Sequence, residues 1–144
     1  MADFMCTVAI PTRALFQGRV YYADVPSVEG NYGVLPGHEM IVATNKNGGV
    51  LTLHLDEAGN EKKRFLLYEG ASQVYNNVLS VLGRFGRDVE DIDVESVREK
   101  AENMRKHIEE LESSDSEQDR AELETSKERL AWYQIQIDYV EQHS

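Results

Sequence analysis

The hydrophobic pattern of this chain changes period near residue 92, and that change limits the folds open to it. Upstream, apolar residues fall in short β-branched and aromatic runs: TVAI, ALFQGRVYYADVP, YGVLP, MIVAT, GVLTLHLD, RFLLYEG, ASQVY and VLSVLG. Turn signals separate them: Pro26–Ser27, Pro36–Gly37, NKNGG, DEAGNE and Asn76–Asn77. Many short strands at this spacing predict an all-β sandwich or barrel. Leu51, Leu53 and Leu55 alternate with Thr52, His54 and Asp56, as in a half-buried strand. DEAGNE suits a hairpin loop in which Gly59 supplies positive φ. Lys62–Lys63–Arg64 then opens the return strand as a charged entry that discourages edge pairing.

Downstream, Val94, Val97, Ala101, Met104, Ile108 and Leu111 recur at alternating three and four residues. That spacing predicts an apolar seam on a helix, with Asp93 as its N-cap and Glu95 in the first turn. SSDSEQD breaks the seam, and Ser114 with Glu117 has capping-box spacing for a second helix. The second helix carries Leu123, Leu130, Tyr133, Ile137 and Val140 on one stripe, and Trp132, Ile135 and Tyr139 on another. The helices should run about 30 and about 40 Å and form an antiparallel hairpin. One stripe can pack on the first helix; the extra one must cover the β part or meet a partner. The expected architecture is an α+β arrangement: an all-β sandwich over residues 1–88, then an antiparallel helical hairpin over 89–144.

Charge follows the same division. Residues 1–89 hold 9 acidic and 8 basic side chains, a net of −1, and residues 90–144 hold 17 and 7, a net of −10. No basic patch offers to neutralise phosphates, which argues against nucleic acid as a partner. No apolar run approaches the roughly 20 residues that span a bilayer, so direct membrane insertion is not expected. MADFMCTVAIPTR lacks the basic and apolar regions of a signal peptide, and a single Cys6 suits a reducing compartment. A cytosolic chain is expected, with Cys6 as a small buried hydrophobe in the first strand.

The glycine-rich stretch EGNYGVLPGHEM, residues 29–40, invites an active-site interpretation that its spacing does not support. No Lys-Ser or Lys-Thr follows Gly30, Gly33 and Gly37, and the next element reads as a strand rather than a helix N-terminus. His38 lies far in pattern from His54, His107 and His143, so no metal site is expected. There is no nucleophile–base–orienter set, and Glu90, Asp91 and Asp93 read as capping carboxylates. His38 reads as a structural or surface residue and the chain as a two-part interaction protein, not an enzyme. Gly83–Arg84–Phe85–Gly86–Arg87, between the two parts, reads either as a hinge or as a strand-exit loop.

The order of these pieces resembles the epsilon subunit of bacterial F-type ATP synthases over nearly the whole chain. The resemblance is carried by IPTRALFQGRVYYADVPSVEGNYGVLPGHEMIVA, then EGASQVYNNVLSVL, then EDID at Glu90–Asp93 opening the hairpin. It implies a sandwich of about ten strands and a non-catalytic central-stalk subunit of a proton-translocating synthase. The implied partners are gamma, the ring of c subunits and, through the hairpin, alpha and beta. The implied location is peripheral, on the cytoplasmic face of the bacterial cell membrane. By resemblance, Glu29, Gly30, Asn31 and Tyr32 contact the c ring, and His38, on the strand after the bend, serves contact with gamma or local packing. The extra stripe Trp132, Ile135 and Tyr139 is the candidate partner face of the hairpin, which in the family can restrain ATP hydrolysis.

Family members carry Ala-Pro after this histidine and a Gly-Gly pair in a later strand; this chain has Glu39–Met40 and Tyr68–Glu69–Gly70. Many bind ATP through Ile/Leu-Asp-x-x-Arg-Ala at the first helix. Here Ile92 and Asp93 match, but Ser96 and Val97 replace arginine and alanine. Arg98 lies about 200° round the helix from Ser96. Without a guanidinium at the motif position a bidentate grip on phosphate is lost, so no ATP cofactor is expected. The second helix is acidic, with Arg120, Lys127 and Arg129 against Glu117, Asp119, Glu122, Glu124 and Glu128. Docking on an acidic segment of beta, and inhibition with it, should therefore be weak or depend on packing of Trp132 and Ile135. An alternative outside the family is a free-standing β-sandwich adaptor whose hairpin docks another protein.

Overall fold

The computed structural model describes residues 2–143 of the chain, which divides into two compact units between Asp91 and Ile92. The first contains ten strands: β1 (Phe4–Ile10), β2 (Arg13–Val20), β3 (Tyr22–Val25), β4 (Tyr32–Val34), β5 (Ile41–Thr44), β6 (Gly49–His54), β7 (Lys62–Tyr68), β8 (Ala71–Tyr75), β9 (Val78–Leu82) and β10 (Phe85–Asp88). They form two five-stranded sheets in the orders β2-β1-β9-β8-β5 and β10-β7-β6-β3-β4. Neighbours pair antiparallel except β1 and β9, which run parallel.

Alternation decides which side of each strand is dry. Phe4, Cys6 and Val8 on β1 and Leu51 and Leu53 on β6 are at most 1% exposed, while their sequence neighbours are half-buried. With Val74, Leu79, Val81, Phe65 and Leu67 they form one core between the sheets. Each fully buried Leu or Phe contributes about 1.5–3 kcal/mol of transfer free energy, so this core, not strand propensity, fixes the register.

The turns follow from their residues. Asn76 and Asn77 take φ of 52° and 63°, and Tyr75 pairs with Val78, so they form the two-residue left-handed turn that hairpins favour. Gly59 takes φ of 75° in the β6–β7 loop, as its place in DEAGNE predicts, and Asp56 Oδ1 accepts from the backbone of Asn60 and Glu61. Lys62–Arg64 pair with β6 on one side, while β10 covers only Phe65–Tyr68 on the other. The charged residues thus lie in an interior strand, along the part of it that β10 leaves open.

Three local expectations change. Within the segment at 83–87 only Gly83 and Arg84 form the exit from β9: Phe85–Asp88 is β10, paired with β7, and a Cβ on Gly86 would meet Leu15 at 3.0 Å. This strand lacks apolar alternation because only its pairing partner defines it. His38 lies in the loop before β5 rather than on a strand. The second helix is capped by Ser116, which accepts from the Asp119 backbone, two residues beyond the expected cap; Ser114 instead donates to the Asp119 carboxylate.

A short 3-10 turn, Val89–Asp91, ends the first unit, held by Arg87 donating to the Asp91 carbonyl and by Asp88 accepting from Glu90. The second unit is the hairpin of α1 (Val94–Glu112) and α2 (Glu117–Gln142). Val97, Ala101 and Ile137 form one buried cluster in it, with Ile92, Leu130 and Tyr133 packed on them, and Ile108, Leu111 and Trp132 are buried as well. Arg98–Glu141, Arg105–Gln134 and His107–Glu122 tie the helices together at 3.4, 3.0 and 2.9 Å. These pairs are exposed, so each adds at most a few tenths of a kcal/mol to about 1 kcal/mol.

Candidate partner-docking face

The outward side of the first sheet is built by register. Directly paired residues share a face, so three rungs cross it. One runs Arg19, Met5, Val78, Tyr75. The next runs Gln17, Thr7, Ser80, Gln73, Val42, and the third Ala14, Ala9, Leu82, Ala71, Thr44. Among these fourteen positions only Arg19 is charged; it lies on the edge strand and pairs with Asp3 at 3.0 Å. Val42, Tyr75 and Leu82 are 67%, 58% and 59% exposed, and Met40, just before β5, is 69% exposed. A protein that is 28% charged has kept charge off this face. Surfaces of that kind mark protein contacts, because burying them costs no ion desolvation.

The glycine-rich stretch borders this face. Gly30 donates to the Ser27 carbonyl and Glu29 to Ser27 Oγ, which closes a turn with the Glu29 side chain exposed. Asn31 Nδ2 reaches Asp24 Oδ2 at 3.5 Å. The Tyr32 phenol meets Ser72 Oγ at 2.6 Å; partial burial pushes the phenol above its ordinary pKa, and the Ser72 bond offsets part of that. A cleft of about 460 Å³ separates residues 27–30 from Ile41–Thr44, with Tyr32 and Ala71 also lining it. Glu29, Gly30, Asn31 and Tyr32 thus form one continuous tip. His38 is set apart from them by β4. Pro36 and Gly37, the latter at φ of 78°, turn the chain so that the His38 backbone donates to the Leu35 carbonyl. The His38 ring is half-buried.

In the hairpin, the four positions of the degenerate nucleotide motif lie at the helix start. Ile92 packs on the hairpin core, Asp93 caps α1, Ser96 supplies the capped N–H at 3.3 Å, and Val97 is core. Of the second stripe on α2, Trp132 is buried at 7% exposure, while Ile135 and Tyr139 are half-buried. Tyr139 stacks on His143 at 4.1 Å. Among the described residues no cluster of three or more His, Cys, Asp or Glu is placed to hold a metal, and no helix is long and apolar enough to cross a membrane.

The charge-poor sheet face escaped reading from the sequence alone. Its signal was present in ASQVY and VLSVL, whose alternate residues outside the core are small, amidic, aromatic or aliphatic. Only the register places those residues beside Met5, Thr7 and Val42.

Residues 3–85 match the family described as ATP synthase, Delta/Epsilon chain, beta-sandwich domain. The ATP synthase epsilon chain of Rhodopseudomonas palustris (strain BisB18) is 31% identical over 133 residues, 92% of this chain and 90% of that one. That of Nitrobacter winogradskyi is 30% identical over 130 residues, 90% of this chain and 88% of that one. Among solved structures, a chain of the Euglena gracilis mitochondrial ATP synthase assembly of OSCP, F1 and c-ring superposes with a TM-score of 0.64. It is 21% identical, covering 97% of this chain and 82% of that one, and so speaks for the fold. Sandwich, hairpin, near-full-length similarity and family match agree, and the chain belongs to the ATP synthase delta/epsilon chain family.

Proposed function

We propose that this chain is the epsilon subunit of the central stalk in a proton-translocating F-type ATP synthase. In this role it is non-catalytic: it binds gamma through the charge-poor face of the first sheet and rests on the c ring through the Glu29–Tyr32 tip. It helps couple ring rotation to ATP synthesis and stays peripheral, on the cytoplasmic face of the bacterial membrane. The observation that carries the reading is that face, where rungs from five strands present one charged residue among fourteen. His38 is assigned to the rim of the gamma contact.

Two modules share the work. The sandwich, residues 1–88, docks; the hairpin, residues 89–144, regulates through alpha and beta. Its partner stripe is Trp132, Ile135 and Tyr139, and engagement requires Trp132, buried here, to become accessible. The acidic second helix makes this a weak brake on hydrolysis. ATP is not expected as a cofactor of the hairpin, because Ser96 and Val97 stand where the family's nucleotide motif carries arginine and alanine.

The test is binding to purified gamma. Val42→Glu with Gln73→Lys adds charge at two paired positions of the middle rung. The double variant should keep its fold by circular dichroism and lose about tenfold or more in gamma affinity. Unchanged affinity would move the gamma contact elsewhere.

A further inference from the structure

We infer that the Tyr32–Ser72 hydrogen bond positions the docking tip, holding residues 28–31 in one shape relative to the sheet that carries the charge-poor face. This rests on the proposal that the tip meets the c ring. Tyr32 belongs to β4, an edge strand of only three residues paired on one side with β3. Such a strand fixes little by itself. Ser72 belongs to β8 in the opposite sheet, on its inward side, and is 1% exposed. The 2.6 Å bond therefore crosses from one sheet to the other where edge strands β4 and β5 leave the sandwich open.

A second tie lies at the other end of the tip, where Val28 donates to the Thr44 carbonyl at 3.0 Å. The backbone between residues 28 and 32 is thus anchored at both ends to the first sheet. Between the anchors the turn is closed by Ser27, and the exposed Glu29 and Asn31 project from it. Preorganising a polar tip removes part of the ordering cost of binding. It also fixes the tip against the gamma face, so that both contacts move as one body. A buried Ser72 hydroxyl that lost the phenol would be left without this partner, so the pair acts as a unit.

The test uses Tyr32→Phe, Ser72→Ala and the double variant in the full chain. The readouts are affinity for detergent-solubilised c ring, affinity for gamma, and amide hydrogen exchange. Ser72 is buried on the inward side of its sheet, so a loss from Ser72→Ala reports positioning rather than contact. Each single variant should weaken ring binding about fivefold. The double should be no worse than either single, because the interaction is shared. Exchange at residues 28–31 should speed up, and gamma affinity should stay within about twofold, since its proposed face is untouched. Unchanged ring binding overturns the inference, as does an equal loss toward ring and gamma, which would mark general destabilisation. Glu29→Ala with Asn31→Ala separates the two levels. If it weakens ring binding and Ser72→Ala does not, the positioning role fails alone. If it leaves ring binding intact, the tip is not the contact and both readings fall.

Discussion

Gly37 donates its backbone N–H to Asn77 Oδ1 at 2.9 Å, linking the Pro36–Gly37 turn to the β8–β9 hairpin 40 residues away. The same side chain donates through Nδ2 to the Asp3 carbonyl at 3.0 Å, and the Asn77 carbonyl accepts from Met5. One residue thus fixes the N-terminal strand, a hairpin turn and the loop that carries His38.

Asn77 also sits at φ of 63°, a conformation glycine and asparagine tolerate and alanine does not. Asn77→Gly should cost about 1–2 kcal/mol in urea unfolding, for two lost side-chain bonds at an exposed site. Asn77→Ala should cost about 1 kcal/mol more, because it adds left-handed strain. Equal losses would mean that the bonds, and not the turn conformation, dominate. Alanine being the milder change would remove both arguments.

What the sequence made legible was what neighbours in the chain decide. Leu51 and Leu53 declare a buried strand face by alternation, Gly59 its turn and Asp93 its cap, because each signal is carried by a short local stretch. What it hid depends on distant partners. Phe85–Asp88 becomes a strand only by pairing with Phe65–Tyr68. Val42 and Tyr75 look like ordinary strand residues until register sets them on one charge-poor face. The cap fell on Ser116 rather than Ser114 because several polar residues in SSDSEQD can cap, and only tertiary placement chooses among them. Tyr32 reads as an aromatic strand residue, and nothing near it in sequence announces Ser72.

Cys6 supplies a direct probe of the sandwich core. It is fully buried, and burial pushes its thiol up to about 12. The thiolate is the reactive species, so native protein at pH 8 should resist iodoacetamide. Labelling should be roughly a thousandfold or more slower than in urea and should follow global opening. Rapid labelling under native conditions would show that β1 detaches locally.

His54 predicts a pH dependence. Its ring packs on Tyr22 with centroids 4.9 Å apart. Burial first, and the nearby Lys62 charge second, lower its pKa from 6.5, against an opposing pull from Asp56. The unfolded state therefore takes up a proton at higher pH than the folded one. The stability tied to neutral His54 is present above about pH 6.5 and is lost as pH falls through the folded pKa. His54→Gln should flatten the fall in stability between pH 7 and pH 5, measured by urea midpoints. Superimposable pH profiles for the two proteins would remove His54 from the acid response.

The hairpin carries a correctable electrostatic fault. The last turn of α1 holds Glu109, Glu110 and Glu112 and no basic side chain, although a helix C-terminus favours positive charge. Glu112 is exposed, so changing it disturbs no packing. Glu112→Lys should stabilise the hairpin by about 0.3–1 kcal/mol. Glu112→Gln should give a smaller gain, since it removes repulsion without adding attraction. The sole tryptophan, Trp132, lies in the same unit and is buried, so its emission can follow unfolding alongside helical circular dichroism. Because the interaction is at the surface, the gain should shrink in about 1 M salt, where the Debye length falls to about 3 Å. A gain that persists undiminished at high salt would point to helix propensity rather than the dipole, and no gain at all would mean the Ser113 cap already neutralises that end.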